Sequence, residues 1–242
     1  MSQKDEDYWR GIGEANPYWA VLSQDRYVGG DLDDERKHEF MTTGISDVAF
    51  ALELIRRHVR KDFAPRAALD FGCGVGRLVV AMARHAQQVT GVDISESMLK
   101  RAAENVRGFG APNVRLLDHV PEEEFDWINS YIVFQHIEPA TGIALLRQLL
   151  SRLAPGGVVS LHFTIYRDNR IWHRGLQESR LGRFDGRTFT SFERGPLQEM
   201  PIYEYDLSEV LCHLTQCGVE TLSMRHLDHQ GLHGVWIVGA RE

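Results

Sequence analysis

The chain has 242 residues, of which 43% are hydrophobic and 25% charged, with a formal net charge of -7. That length supports one sizeable core with a lid, and the acidic balance excludes a broad phosphate-neutralising face, so no nucleic-acid partner is expected. No apolar run reaches the length of a membrane span, the polar and acidic start is not a secretory leader, and Cys73, Cys212 and Cys217 make no disulfide framework, so a cytoplasmic protein away from any membrane is expected.

Residues 1–60 read as helical and carry no strand pattern. Tyr8, Trp9 and Ile12 share one helical face, and Asn16-Pro17 breaks and restarts the chain. Gly29-Gly30 is a turn. Asp31 to Met41 reads as a charged helix. Gly44 to Val59 reads as a second, amphipathic one with Val48, Ala51, Leu52 and Ile55 inward. These helices either pack on a sheet as a plain layer or close over a site at the strand ends. In the second case Tyr18, Trp19 and Tyr27 are pocket aromatics that meet a substrate.

The organising stretch follows. Ala67 to Phe71 reads as a short buried strand that carries the carboxylate Asp70. Gly72, Gly74 and Gly76 come next at alternate positions, then Leu78 to Arg84 as a helix. Strand, glycine turn and helix open a nucleotide-type α/β fold. Glycines there permit the tight turn and let a ligand approach the backbone, and the helix start offers free N–H groups. The spacing is neither a dinucleotide fingerprint, since Arg77 stands where its third glycine belongs, nor a P-loop, since no Gly-Lys-Ser/Thr follows. Arg77 opens the helix against its dipole, which an anion nearby resolves: a ligand carboxylate or an acidic side chain.

Gln88 to Asp93 is a second strand that ends in a carboxylate, with Ser95 capping the next helix and Met98 on its inner face. An acid at that strand end binds ribose hydroxyls in this architecture. Asn113 to Leu117 is the third strand, and Asp118-His119 just after it either reaches an adenine amino group or makes an ordinary turn. Phe125 to Ile132 is the fourth, leading into Gln135-His136, with a helix from Thr141 to Leu153 and a stop at Pro155-Gly156-Gly157. Val158 to Ile165 is the fifth. From Tyr166 to Tyr205 no periodicity is clear, and a stretch of that length reads as a lid. Its arginines, Arg170 and Arg174 among them, favour an acidic substrate. Asp206 or Ser208 then caps a helix through Leu214. Val219 to Leu227 and Gly234 to Ala240 form an antiparallel hairpin around Asp228 to His233. Its histidines belong to the turn, and no metal site is assigned.

In these residues the chain resembles the class I S-adenosylmethionine (SAM)-dependent methyltransferases, of the bacterial small-molecule type. Asp70-Phe71-Gly72-Cys73-Gly74-Val75-Gly76 looks like the family's first motif and Val92-Asp93-Ile94-Ser95 with Met98 its second. Phe125-Asp126 through Gln135-His136-Ile137-Pro139 looks like the fourth, and Leu153 to Gly157 the closing turn. The resemblance covers about residues 44–242. It implies an α/β, seven-stranded Rossmann-like sheet with an antiparallel last strand, to which the residue pattern adds an N-terminal helical cap over residues 1–60 and a lid insertion over residues 166–205. It implies SAM as cofactor, S-adenosylhomocysteine as product, and a site of Asp70, Gly72, Gly74, Gly76, Arg77, Asp93, Ile94, Met98, Asp118, His119 and Tyr131. The acceptor is expected to be a small molecule, secondary metabolite or sugar, methylated at O or N by a monomer or homodimer. His136, past the fourth strand, is the candidate base and Gln135 its companion in the substrate site. A SAM-binding regulator without transfer, and a nucleic-acid or protein methyltransferase, are the competing readings.

Overall fold

The computed structural model describes the backbone of residues 3–168, 182–184, 189–194 and 199–242, and side chains at 7–168 and 200–242. One seven-stranded sheet organises the chain. Its strands are β1 (Ala67–Phe71), β2 (Gln88–Val92), β3 (Val114–Leu117), β4 (Phe125–Ser130), β5 (Leu153–Arg167), β9 (Val219–His229) and β10 (Leu232–Arg241). They lie in the order β3-β2-β1-β4-β5-β10-β9. β1 to β5 pair in parallel, and β10 runs antiparallel between β5 and β9. The order reverses at β1, so β1 and β4 leave a crevice between their carboxyl ends, where open sheets of this kind bind ligands.

Alternate residues of the central strands feed two cores, as the two-residue period of a strand requires. Ala68, Trp127, Val158 and Val238 face helices α1 (Gln3–Ala15), α2 (Pro17–Val21), α3 (Asp34–His58), α4 (Arg77–Met82) and α5 (Glu96–Gly108). Leu69, Ile128, Val159 and Ile237 face α6 (Pro139–Ser151) and α7 (Leu207–Gln216). The hairpin β9–β10 turns at Gln230-Gly231, both with positive φ.

Two expectations are corrected. Residues 34–58 form one helix where two were expected. α3 starts on Asp33, whose carboxylate accepts from the Arg36 N–H at 2.8 Å, and runs unbroken through Gly44. A Cβ on Gly44 would come within 2.4 Å of the Arg77 carbonyl oxygen, so this glycine is where α3 meets α4, not a break. β5 begins at Leu153 and continues to Arg167, through the expected stop. The stretch 166–205, which shows no period, contains a small antiparallel sheet of β6 (Gly182–Phe184), β7 (Phe189–Arg194) and β8 (Glu199–Tyr203).

Candidate active site

A cavity of about 360 Å³ opens at the carboxyl ends of β1, β2 and β4, within the size range of small-molecule sites. Asp70 forms its floor. β1 pairs Asp70 with Asn129 of β4, and the Asn129 amide donates to Asp70 Oδ1 at 2.8 Å. Asn129 Oδ1 accepts from Ser160 Oγ at 2.6 Å, which in turn accepts from Trp127 Nε1 at 2.8 Å. This buried relay fixes one carboxylate oxygen. The other, Oδ2, is buried and makes no hydrogen bond among the described residues. Burial raises the Asp70 carboxyl to about 7, against the lowering effect of the Asn129 amide. Asp70 lines the cavity, so the site holds an acid at the edge of ionisation with one acceptor oxygen left unpartnered among the described residues.

The turn above Asp70 is shaped by its glycines. Gly72, Gly74 and Gly76 all have positive φ, and a Cβ on Gly72 would lie 2.5 Å from Val133. The Gly74 N–H donates to Asp93 Oδ2 and the Ser95 N–H to Asp93 Oδ1, each at 2.9 Å. Asp93 thus ties the glycine turn to the start of α5 and still faces the cavity beside Ile94, Ser95 and Met98. Burial raises its carboxyl, with the Ser95 and Gly74 N–H groups opposing. Arg77 is buried at 3% exposure and pairs with Asp47 of α3 and, at 3.1 Å, with Thr43 Oγ1. The anion that answers the helix dipole is thus an acidic side chain of α3.

Asp118 and His119 line the opposite rim, with Asp118 Oδ1 and His119 Nδ1 2.7 Å apart on the surface. His119 holds the Asp118 carboxyl below its ordinary value. Tyr131 and His136 line the wall that continues β4. Both His136 ring nitrogens are engaged. Nδ1 lies 3.0 Å from the Pro201 carbonyl on β8, so Nδ1 carries the proton, and Nε2 accepts from the Gln135 amide at 3.0 Å. Gln135 Oε1 accepts from Thr164 Oγ1 at 2.8 Å. Burial lowers His136 to about 4, with the Pro201 carbonyl opposing, so the ring is neutral at pH 7. Trp9 of α1 packs edge-on against it at 4.7 Å.

The expected substrate residues are not brought together. Tyr18, Trp19 and Tyr27 are buried in the core, where Tyr18 and Tyr27 flank Phe40 edge-on at 5.1 and 5.2 Å. The aromatic positions start a hydrophobic layer, and the cavity instead takes Trp9, Ala20 and Val21 from these helices. The helical face carrying Trp9 was visible in the sequence, but its aim was not. Arg170 and Arg174 lie outside the described residues. Asn129 and Asp47 carry no local signal: each matters only through a partner far along the chain.

A family described as "Methyltransferase domain" matches residues 69–159. Those residues run from β1 into β5 and so hold Asp70, the glycine turn and Asp93. Over that stretch the chain is similar to a methyltransferase domain. An uncharacterised methyltransferase of Geobacillus kaustophilus is 30% identical over 51% of this chain and 58% of its own length. Thiocyanate methyltransferase 1 of Brassica oleracea is 37% identical over 40% of this chain and 46% of its own. The chain spans about half the length of these curated relatives. In fold, the chain resembles the magnesium protoporphyrin IX methyltransferase of Synechocystis PCC 6803 crystallised with bound SAH. The TM-score is 0.67 at 16% identity, over 98% of this chain and 100% of that one. The seven-stranded sheet with its antiparallel member agrees with the fold expected from the motifs. Among the described residues, no helix is long and apolar enough to cross a membrane.

Proposed function

We propose that the chain transfers the methyl group of SAM to an oxygen or nitrogen nucleophile of a small molecule of secondary-metabolite or sugar type. The observation that carries this reading is the unpartnered Asp70 Oδ2 at the floor of a glycine-lined cavity. A carboxylate held that way suits the ammonium of an amino-acid ligand, and burial without a partner otherwise has a cost. Gly72 and Gly74 leave the backbone open to the ligand's methionine end. Asp93 keeps lone pairs for ribose hydroxyls, and Ile94, Met98 and the Asp118-His119 rim are suited to the adenine. The residues present fit that cofactor.

When bound, SAM supplies a methyl group on a sulfonium, already a good leaving group. The protein's share is alignment and exclusion of water. His136 faces the same cavity as a neutral imidazole, which matches the base role. Its basic nitrogen is held by Gln135, so it takes an acceptor's proton only by exchanging that amide for the acceptor. His136 therefore assists, and positioning carries the larger share. The net charge of -7 disfavours a polyanionic acceptor, and the helices of residues 3–58 with the 166–205 insertion act as cap and lid.

Titration calorimetry with SAM and S-adenosylhomocysteine, followed by methyl-labelled SAM with metabolite extracts, tests the reading. Binding of both and label in a small product support it. Binding without any transfer supports a SAM-responsive regulator, and no binding ends both.

A further inference from the structure

Beyond Tyr131 lies a group of polar rings that the cofactor reading leaves unused. Tyr131 lines the cavity and stacks on Trp236 of β10, with centroids 4.3 Å apart and an interplanar angle of 19°. It also meets His162 of β5 edge-on at 5.4 Å and His229 of β9 at 6.3 Å. His162 and His229 are 5.3 Å apart. Four ring nitrogens in this group are buried and make no hydrogen bond among the described residues: both of His162, Nε2 of His229 and Nε1 of Trp236. Two residues back on β5, Ser160 completes a fully paired relay with Trp127 and Asn129. Buried polar groups are ordinarily paired, and the ring group departs from that.

The chain also makes room for the group. Gly234 faces His162, and a Cβ there would come within 2.3 Å of its Nε2. His162 follows Leu161, which pairs with Ser130 in the final rung between β4 and β5. It therefore stands just past the end of β4, beside the wall of the cavity. Tyr131 is followed by Ile132 at φ 58, a left-handed conformation that a β-branched residue seldom adopts. Such outliers persist where the surroundings impose them, and they cluster at ligand clamps and switches.

We propose that Tyr131 is a movable wall, and that the His162, His229 and Trp236 rings behind it bind the hydroxyl group of a neutral methyl acceptor. This rests on the methyltransferase reading and adds the acceptor's chemical class. Trp236 offers an N–H and each neutral imidazole one N–H and one lone pair. An acceptor oxygen can accept from one N–H and donate its own proton to a ring lone pair. Neither a guanidinium nor an ammonium belongs to the ring group, so it gives no counter-charge to a carboxylate or phosphate.

The test uses ¹⁵N-histidine-labelled protein saturated with S-adenosylhomocysteine and titrated with phenol as a neutral hydroxyl probe and benzoate as an anionic one. Phenol should shift the His162 and His229 ring nitrogens, and benzoate should not. Trp236→Phe should weaken phenol at least about fivefold while S-adenosylhomocysteine affinity stays within about twofold, as expected for one lost hydrogen bond. His162→Leu removes two unpartnered nitrogens, so its melting temperature should not fall, and the phenol response at His229 should disappear. No response to phenol in the loaded protein overturns the proposal, as does an equal response to benzoate. A lower melting temperature for His162→Leu with the phenol response retained makes the rings structural and also overturns it. Failure of S-adenosylhomocysteine to bind removes the methyltransferase reading itself.

Discussion

The two halves of the cavity are built differently. At the ends of β1 and β2, polar side chains mostly serve backbone of the glycine turn and the start of α5, while Asp70 reaches across to Asn129 of β4: Asp93 accepts from Gly74 and Ser95 at 2.9 Å, and Ser95 accepts from Met98 at 3.4 Å. At the ends of β4 and β5, side chains are held by distant segments. Gln135 meets Thr164, and His136 meets the Pro201 carbonyl, 65 residues away. The first half is a rigid cradle with one open acceptor, Asp70 Oδ2. The second is an assembly whose basic groups are already engaged or covered. A cradle for a shared cofactor can be written in a short motif; an acceptor site has to be assembled from segments far apart in the chain.

Gly74→Val should break the cradle most severely. Gly74 has φ +52, and its Cβ would lie 2.8 Å from Val21 Cγ2. SAM binding should fall below detection in calorimetry while a melting transition persists; normal binding in a folded variant would contradict the account of the turn. Asp93→Ala comes next. It removes both backbone hydrogen bonds that tie the turn to α5, as well as the charged acceptor proposed for ribose, and should weaken SAM by on the order of 1–3 kcal/mol. An unchanged dissociation constant would free Asp93 of that role.

The acceptor half should respond less. His136→Ala removes a ring whose basicity burial has lowered to about 4 and whose Nε2 already accepts from Gln135. kcat should drop by only about tenfold, less than the usual range for a free general base, with SAM affinity unchanged. A loss of several orders of magnitude would show that the acceptor displaces Gln135 and that His136 is the principal base. A change mainly in SAM affinity would assign it to the cofactor half instead.

The same contrast explains what the sequence discloses. Asp70, the three glycines and Asp93 sit on two adjacent strand–turn–helix units, so their spacing is visible in a single pass. The parallel strands were legible as short apolar runs bounded by glycine and acid. Gly44 was not, because whether a glycine ends a helix or admits a neighbour depends on Arg77, in another element. Tyr18 and Tyr27 read as pocket aromatics because an aromatic cluster looks alike in a core and in a site. Only their contacts with Phe40 separate the two. Trp236 and His162 carried no signal, since the strands that bring them to Tyr131 are joined through most of the second half of the chain.

The titration of Asp70 tests the central claim most directly. Its folded-state value of about 7 lies above the ordinary 3.8. The folded protein therefore keeps a proton that the unfolded chain has lost, and unliganded stability should decline as pH rises from about 4 to about 7. An ammonium beside Oδ2 favours the carboxylate, so binding below pH 7 should expel that proton. Calorimetry of SAM binding at pH 6 and pH 8, in buffers of different ionisation heat, should show release of nearly one proton and about tenfold weaker affinity at pH 6. Neither should remain in Asp70→Asn. Tight binding with the same affinity and no proton release at both pH values would contradict the claim that Asp70 receives the cofactor's ammonium.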